Sequence, residues 1–179
     1  VRHGRLTRDE GIECVEQYMK NPDIKIFNHD VYHDYRGELW TIWKQDEYPE
    51  TNLKFNHDKI STSKKHVLRG LHGDYKSWKM VECLYGELYF VIVDNRPESV
   101  RYGQWEWIML SDKKRQSVLL PPGFANGFLV MSEYSIFHYK WSYPGEYPDV
   151  QDQFTIKWDD PILNIDWPID NPILQKRDK

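Results

Sequence analysis

Cysteine, excess positive charge and long hydrophobic runs are all scarce in this chain of 179 residues. Its two cysteines, Cys14 and Cys83, are too few and too far apart for a disulfide framework, which favours a reducing cytoplasm. A formal net charge of −4 argues against a nucleic-acid partner. No apolar run approaches the length of a membrane span or of a signal-peptide core. The sequence therefore predicts a cytoplasmic protein that binds neither nucleic acid nor a membrane.

Aromatic residues, in contrast, are abundant. They make up 15% of the chain, with eight Trp and twelve Tyr, beside 29% charged residues. This combination is typical of a β-fold that has a lined cavity or a sizeable subunit interface. The length fits one domain with a substantial hydrophobic core.

The first residues differ from the rest of the chain. Apolar residues recur at helical spacing between positions 12 and 19, and Asn21-Pro22 ends the pattern, so the sequence predicts a short helix over residues 8–20. We interpret residues 1–23 as an N-terminal extension and residues 24–179 as a single domain.

From residue 24 onward the pattern is one of short strands separated by Gly and Pro. The predicted strands cover residues 24–27, 38–43, 55–63, 67–71, 79–85, 88–93, 103–110, 117–120, 127–131 and 135–141, with a turn at 34–37. The segment from Asp159 is rich in Pro and Asp and is predicted to pack over the strands as turns or a short helix. Many short strands with this punctuation predict an all-β sandwich or barrel.

His72 is the first candidate for chemistry. It lies at the predicted end of one strand, close to Arg69, and Lys79 begins the next strand. An imidazole titrates near neutrality, so a histidine between two cations is a candidate acid–base group. The alternative is a structural role, since a histidine in an apolar strand can be a hydrogen-bonded core residue.

Two segments resemble the paired motifs of a cupin-type jelly roll. The first is Gly70-Leu71-His72-Gly73-Asp74 with Glu82 and Gly86, and the second is Pro121-Pro122-Gly123-Phe124-Ala125-Asn126. Metal-binding cupins present several histidines from these motifs, whereas this chain has Asp74 and Asn126 at the relevant places. Asparagine is a poor ligand for transition metals. The sequence therefore predicts neither a metal nor another cofactor, and His72 would act as an acid–base group.

A more extensive resemblance covers residues 24–178. Seven motifs occur in the order and approximate spacing of the dTDP-4-dehydrorhamnose 3,5-epimerase family. They are Arg36-Gly37, Arg69-Gly70-Leu71-His72, Pro122-Gly123-Phe124, Tyr139, Trp158-Asp159-Asp160-Pro161, Ile165-Asp166-Trp167-Pro168 and Leu174-Gln175-Lys176-Arg177-Asp178. The resemblance implies a jelly roll without metal, assembled as a homodimer, that acts on nucleotide-linked 4-keto sugars.

The chemistry of that family implies four catalytic roles. A C4 ketone acidifies the protons on C3 and C5, and epimerisation removes one of them and returns a proton to the opposite face. By resemblance, His72 is the base and Asp178 orients it. Tyr139 is the opposing acid, and Lys79 stabilises the enolate oxygen. The structural alternatives are a frayed terminal charge for Asp178 and an ordinary strand aromatic for Tyr139.

Further residues are implied in substrate binding. Arg36 and Arg69 match arginines that hold the nucleotide and its phosphates. The chain departs from the rhamnose-pathway enzymes at positions that would surround the sugar and diphosphate. The departing residues are His57, Lys59, Gly73, Asp74 and Asn126.

These departures, with the segments 145–149 and 152–154, resemble a branch that epimerises GDP-linked 4-keto heptoses for bacterial capsules. The sequence leaves open whether C3, C5 or both are inverted. It also leaves open whether the substrate is instead a dTDP-linked 4-keto-6-deoxyhexose. Two other functions are also open: a sugar-nucleotide 3,4-ketoisomerase and a non-catalytic cupin that binds a sugar nucleotide.

Overall fold

A computed structural model describes residues 20–44, 53–143 and 152–179. The predicted helix over 8–20, apart from its last residue, and the segment 145–149 lie outside these ranges, as does Cys14. Across the described residues, no helix is long and apolar enough to cross a membrane.

Within these ranges the chain forms twelve β-strands and one short 3-10 turn. The strands are β1 (Lys25–Asn28), β2 (Val31–Asp34), β3 (Gly37–Trp40), β4 (His57–Lys64), β5 (Leu68–Gly73), β6 (Trp78–Tyr85), β7 (Glu87–Asp94), β8 (Trp105–Ser111), β9 (Gln116–Leu120), β10 (Phe124–Val130), β11 (Tyr134–Ser142) and β12 (Phe154–Thr155). The 3-10 turn is Lys176–Asp178.

The strands build two antiparallel five-stranded sheets that pack face to face. The first sheet has the order β1-β9-β6-β11-β4, and the second has the order β12-β5-β10-β7-β8. Strands β2 and β3 form a separate hairpin. Because the chain crosses repeatedly between the two sheets, this is a jelly-roll sandwich, and the predicted fold class is confirmed.

The main core lies between the two sheets. Its buried side chains come from alternate positions of both sheets, as the two-residue repeat of a strand requires, and include Val81, Phe90, Ile92, Phe128 and Phe137. The rings of Phe128 and Phe137 contact each other across the sandwich at 4.5 Å. These contacts define the inner face of each sheet.

A second cluster covers the outer face of the second sheet. Leu71, Val91 and Leu129 are buried there under the C-terminal segment, which includes Trp167. The indole of Trp167 donates a hydrogen bond to the Trp158 carbonyl at 2.8 Å, which closes this segment on itself. Burial on both faces explains why β7 reads as a continuous apolar run instead of an alternating one.

The structure differs from the predicted strands at several places. Strand β2 and strand β12 were not predicted, because both are short and neither carries an extended apolar pattern. Strand β10 begins at Phe124, before the predicted residue 127, although Asn126 and Gly127 interrupt its apolar pattern. Both of its neighbours supply backbone partners there, and this pairing outweighs the weak local preference for a strand.

Candidate active site

The packing of β5 against β10 positions His72. Gly70 approaches β10 so closely that a Cβ atom would lie 2.6 Å from the Gly127 Cα, and its φ of +112° also favours glycine. In this register His72 lies directly opposite Asn126. Asn126 is in turn opposite Ile92 of the main core. Since opposed residues share a face of the sheet, His72 and Asn126 face the interior of the sandwich.

The C-terminal segment brings Asp178 to His72. The Ile173 carbonyl accepts a hydrogen bond from the Leu68 amide at 3.0 Å, so this segment runs beside β5. The turn Lys176–Asp178 follows, and the side chain of Asp178 is completely buried. This burial does not fit a frayed terminal charge.

Both nitrogens of the His72 imidazole have protein neighbours. Nε2 lies 2.8 Å from Oδ1 of Asp178, and Nδ1 lies 3.1 Å from the hydroxyl of Thr155 on β12. The His72 side chain remains 20% exposed. Within the described residues neither carboxylate oxygen of Asp178 accepts a well-aligned hydrogen bond. Hydrogen bonds of this kind can tighten when a substrate binds.

The inner face of the first sheet forms the opposing wall. Tyr139 lies opposite Lys59 of β4 and Val81 of β6, and it packs against the main core. Trp141 comes two residues after Tyr139 on β11 and therefore faces the same side of the sheet. Its register partners on the same face are His57 and Lys79. The predicted acid and the predicted enolate-stabilising lysine therefore share one wall, and His72 is on the other.

Lys79 is buried and makes two interactions. Its Nζ lies 3.4 Å from Oδ2 of Asp74 and 4.9 Å from the centre of the Trp141 ring. Burial lowers the pKa of the Lys79 ammonium, and the negative charge of Asp74 opposes that effect. Burial and the charge of Asp74 thus have opposite effects on the pKa of Lys79.

Arg69 spans the gap between the two sheets. Its Nε donates a hydrogen bond to the Ser63 hydroxyl of β4 at 2.9 Å, and Nη2 donates to the Thr62 carbonyl at 3.3 Å. The residue is exposed, so the guanidinium lies at the rim of the sandwich. On the interior side, Oδ1 of Asn126 is buried and accepts no hydrogen bond from the described residues.

Arg36 is not brought to the other predicted residues within a single chain. It sits in the turn of the β2–β3 hairpin, where its Nε donates to Asp34 at 3.0 Å and its guanidinium lies over the Tyr35 ring. The residue is exposed. Its predicted role in binding the nucleotide stays a prediction.

Three neighbours of the site were missed from the sequence. Thr155 contacts the imidazole of His72, Trp141 lies beneath the Lys79 ammonium, and Ser63 anchors Arg69. Only Trp141 could have been recognised from the sequence, because it lies two residues from Tyr139 in one strand and so shares its face. Thr155 and Ser63 belong to no motif, and only tertiary packing reveals their positions.

Among residues 20–44, 53–143 and 152–179, no three His, Cys, Asp or Glu side chains are grouped so as to hold a metal ion. The expectation of a metal-free site stays a prediction.

The fold, together with the polar side chains on parts of its two inner walls, defines the class of this protein as a jelly roll with an interior site. Comparison with known proteins is more specific. The family model described as dTDP-4-dehydrorhamnose 3,5-epimerase matches residues 19–179. The chain therefore belongs to the dTDP-4-dehydrorhamnose 3,5-epimerase family. The resemblance inferred from the ordered motifs is confirmed, and so is the prediction of an isomerase of the epimerase type.

Individual relatives agree with the family match. The chain is 37% identical to the dTDP-4-dehydrorhamnose 3,5-epimerase of Shigella flexneri over 163 residues, which is 88% of each protein. It is also 37% identical to the enzyme of Methanothermobacter thermautotrophicus, over 86% of this chain and 85% of that one. The crystal structure of dTDP-6-deoxy-D-glucose-3,5-epimerase from Legionella pneumophila, in complex with dTDP-4-keto-L-rhamnose, matches with a TM-score of 0.84 at 34% identity. That match covers 89% of this chain and 87% of the Legionella chain.

The division of the chain at residue 24 and the roles of the individual site residues are not tested by these matches and stay predictions.

Proposed function

We propose that this protein inverts C3, C5 or both of a nucleotide-linked 4-keto sugar through an enolate. One observation carries the proposal: the contact between His72 and the buried Asp178 on one inner wall, across the interior from a wall that presents Tyr139 and Lys79. Epimerisation needs a base on one face of the sugar and an acid on the other, and in this proposal His72 is the base and Tyr139 is the acid.

The proposed reaction begins when His72 removes a proton from the carbon beside the C4 ketone. The electron pair of that C–H bond forms the C–C double bond of an enolate, and the negative charge moves to the C4 oxygen. Lys79 stabilises this oxygen, since a buried cation acts strongly on a charge that develops nearby. Tyr139 then delivers a proton to the opposite face of the carbon. Asp178 stabilises the imidazolium that forms, while it holds one of the two ring nitrogens.

The nucleotide and its diphosphate bind, in this proposal, toward the rim marked by Arg69. A planar guanidinium suits paired phosphate oxygens. The Arg69 side chain is already held by Ser63 and by the Thr62 carbonyl, which reduces the entropy it loses on binding. We propose that Arg36, His57 and Lys59 complete the recognition of the phosphates and the sugar.

The sugar, we propose, is a GDP-linked 4-keto heptose used in a bacterial capsule or other surface polysaccharide. The residues that depart from the rhamnose-pathway pattern support this choice, because His57, Lys59 and Asn126 all face the interior. The buried Oδ1 of Asn126 accepts no hydrogen bond from the described residues and can accept one from an additional sugar hydroxyl. A dTDP-linked 4-keto-6-deoxyhexose is the competing substrate.

The active form, we propose, is a homodimer that needs no metal ion. Ile60, Tyr85 and Tyr134 are exposed on the outer face of the first sheet, and such side chains are typical of a subunit interface. Metal independence rests on the side chains at the site, since an amide at Asn126 replaces an imidazole. Sedimentation at several concentrations tests the dimer, and activity after treatment with a chelator tests the metal.

The reaction is tested by proton exchange with solvent. GDP-linked 4-keto heptose and dTDP-linked 4-keto-6-deoxyglucose are each incubated with the protein in heavy water, and C3 and C5 are followed by NMR. We expect deuterium at C3, C5 or both with the heptose, and slower exchange with the hexose. Absence of exchange with every 4-keto sugar would contradict an epimerase. Faster exchange with the dTDP-linked hexose would contradict the proposed substrate.

A further inference from the structure

The two oxygens of the buried Asp74 carboxylate have different neighbours. Oδ1 accepts hydrogen bonds from the backbone amides of Lys76 at 2.9 Å and Ser77 at 2.6 Å, which is an Asx turn. Oδ2 accepts no hydrogen bond within the described residues but lies 3.4 Å from Nζ of Lys79. One oxygen therefore holds the loop between β5 and β6, while the other faces the ammonium.

The loop itself is held firmly in place. The Asp74 carbonyl accepts a hydrogen bond from the Gly123 amide at 2.7 Å, and the Tyr75 hydroxyl donates to the Asn95 carbonyl at 3.2 Å. The Tyr75 ring also packs against Phe154 of β12 at 5.0 Å. The Asp74 carboxylate is thus fixed by backbone contacts on both sides, and it lies next to Lys79 without any rearrangement of the loop.

Because Lys79 is buried, its ammonium group needs a nearby negative charge to stay protonated. The Lys79 side chain is 6% exposed and the Asp74 side chain 2%, and an isolated buried ammonium tends to lose its proton. Burial lowers the pKa of Lys79, the charge of Asp74 raises it, and the nearby positive charge of Arg177 lowers it again. Within the described residues, the titratable groups that face the same interior include Lys59, which lies over the shared Trp141 ring, and Tyr139, His57, His72 and Asp178.

We propose that Asp74 is a positioning residue: its carboxylate keeps Lys79 protonated and holds the ammonium toward the C4 oxygen of the substrate. The effect of Asp74 on catalysis rests on the proposed function, whereas its effect on the protonation of Lys79 does not. In this proposal Asp74 acts through Lys79 and does not contact the substrate directly. This role also explains why Oδ2 of Asp74 has no backbone donor, since the turn needs only Oδ1.

The test uses Asp74→Asn in the full-length protein. Asparagine keeps the oxygen that accepts the Lys76 and Ser77 amides, so the turn is preserved while the charge is removed. The ammonium is followed by NMR in protein labelled with 13C at the lysine Cε, with Lys79→Met to assign its signal. We expect the Lys79 titration to move down by roughly one to three pH units, the usual effect of a removed neighbouring charge.

Activity gives a second readout. With the substrate that exchanges fastest, the alkaline limb of the kcat profile is expected to move to lower pH in Asp74→Asn by the same amount as the NMR titration. KM is expected to change little, because Asp74 acts through Lys79 and not on the substrate. A change in KM with an unmoved alkaline limb overturns the proposal.

A matched control is available in the C-terminal segment. Asp160 forms the same kind of turn, with its Oδ1 accepting from the Ile162 amide at 2.8 Å and the Leu163 amide at 3.2 Å. Asp160→Asn is expected to leave both the Lys79 titration and the kcat profile unchanged. A shift in this control as large as that in Asp74→Asn overturns the proposal, because it would reflect a general loss of structure.

The outcomes separate this proposal from the proposed function. An unchanged Lys79 titration in Asp74→Asn overturns the role of Asp74 whatever the substrate is. A shifted titration in a protein that exchanges no 4-keto sugar supports the pairing and contradicts the epimerase. If Asp74→Asn does not fold, Asp74→Ser retains a short hydrogen-bond acceptor without charge and is expected to give the same shift.

Discussion

His72 and His138 lie on the two sheets of the same sandwich, and both contact carboxylates, but their surroundings differ. His138 faces outward from β11, where Nδ1 lies 2.7 Å from Glu82 and Nε2 contacts Asp58. The hydrogen bond to Glu82 is the largest of the effects that raise the pKa of His138. His72 faces the interior, with one carboxylate at Nε2 and the neutral hydroxyl of Thr155 at Nδ1.

The difference makes His72, and not His138, suited to the proposed role of base. An imidazole held between two carboxylates must donate from both nitrogens, so it is fixed as a cation and cannot accept a proton. The charges around His138 also balance, since Lys140 lies 2.6 Å from the second oxygen of Asp58. His72 has a carboxylate on one nitrogen only, so the other nitrogen can exchange a hydroxyl partner for a substrate proton.

Replacement of His72 should have the largest effect on activity. In His72→Asn the interior loses its proposed base, and a positioned general base contributes about 10²- to 10⁴-fold to a rate. We expect kcat to fall by at least that factor, with loss of deuterium exchange at both C3 and C5. Rapid exchange at either carbon in the variant would remove His72 from the role of base for that carbon. Circular dichroism and thermal unfolding of the variant serve as controls for the fold.

Replacement of His138 should affect stability and leave the chemistry intact. In His138→Gln both carboxylates lose the charged imidazole, and only Asp58 keeps a charged partner in Lys140. A hydrogen bond between charged groups contributes about 2 kcal/mol to the free energy of unfolding. We expect that loss near pH 6, measured by urea denaturation, with kcat at neutral pH changed by less than about twofold, since a side chain on the outer face of the sheet does not reach the interior.

The pH dependence of this loss distinguishes the charged contacts from simple packing. Because the folded protein raises the pKa of His138 above its ordinary value of 6.5, the stabilisation is fully present below that pH. It is lost as the pH rises through the raised value. The difference in stability between the parent and His138→Gln should therefore narrow from pH 6 to pH 9. A constant difference would show that the protonated state of His138 does not contribute.

The core strands and the contact between His72 and Asp178 could be predicted from the sequence for different reasons. Strands such as β6 and β7 are strongly apolar, so their existence follows from local pattern. His72 and Asp178 lie 106 positions apart in the numbering, and no local pattern joins them. Their pairing was predicted only because ordered family motifs contain both residues, and the geometry agrees with it.

The parts that escaped prediction depend on tertiary register. Alternation along β11 separates His138 from Tyr139 but does not say which of them faces the interior. The sheet register decides this by placing Tyr139 opposite Val81 of the core and His138 opposite Glu82. Strand β12 is two residues long and exists only because β5 offers a free edge, so Thr155 could not be recognised beside His72.

Thr155→Val should have the smallest effect, and it refines the comparison of the two histidines. Valine matches the shape and the strand preference of threonine but removes the hydroxyl at Nδ1, while Asp178 still holds the other nitrogen. A single neutral hydrogen bond contributes about 1 kcal/mol, so we expect kcat to fall by roughly fivefold as the ring loses one of its two restraints. Thr155→Ser, which keeps the hydroxyl, should restore most of the rate. A loss as large as that of His72→Asn would instead mean that the hydroxyl itself carries the proton between substrate and imidazole. That result would make Thr155 a catalytic residue and the imidazole its distant partner.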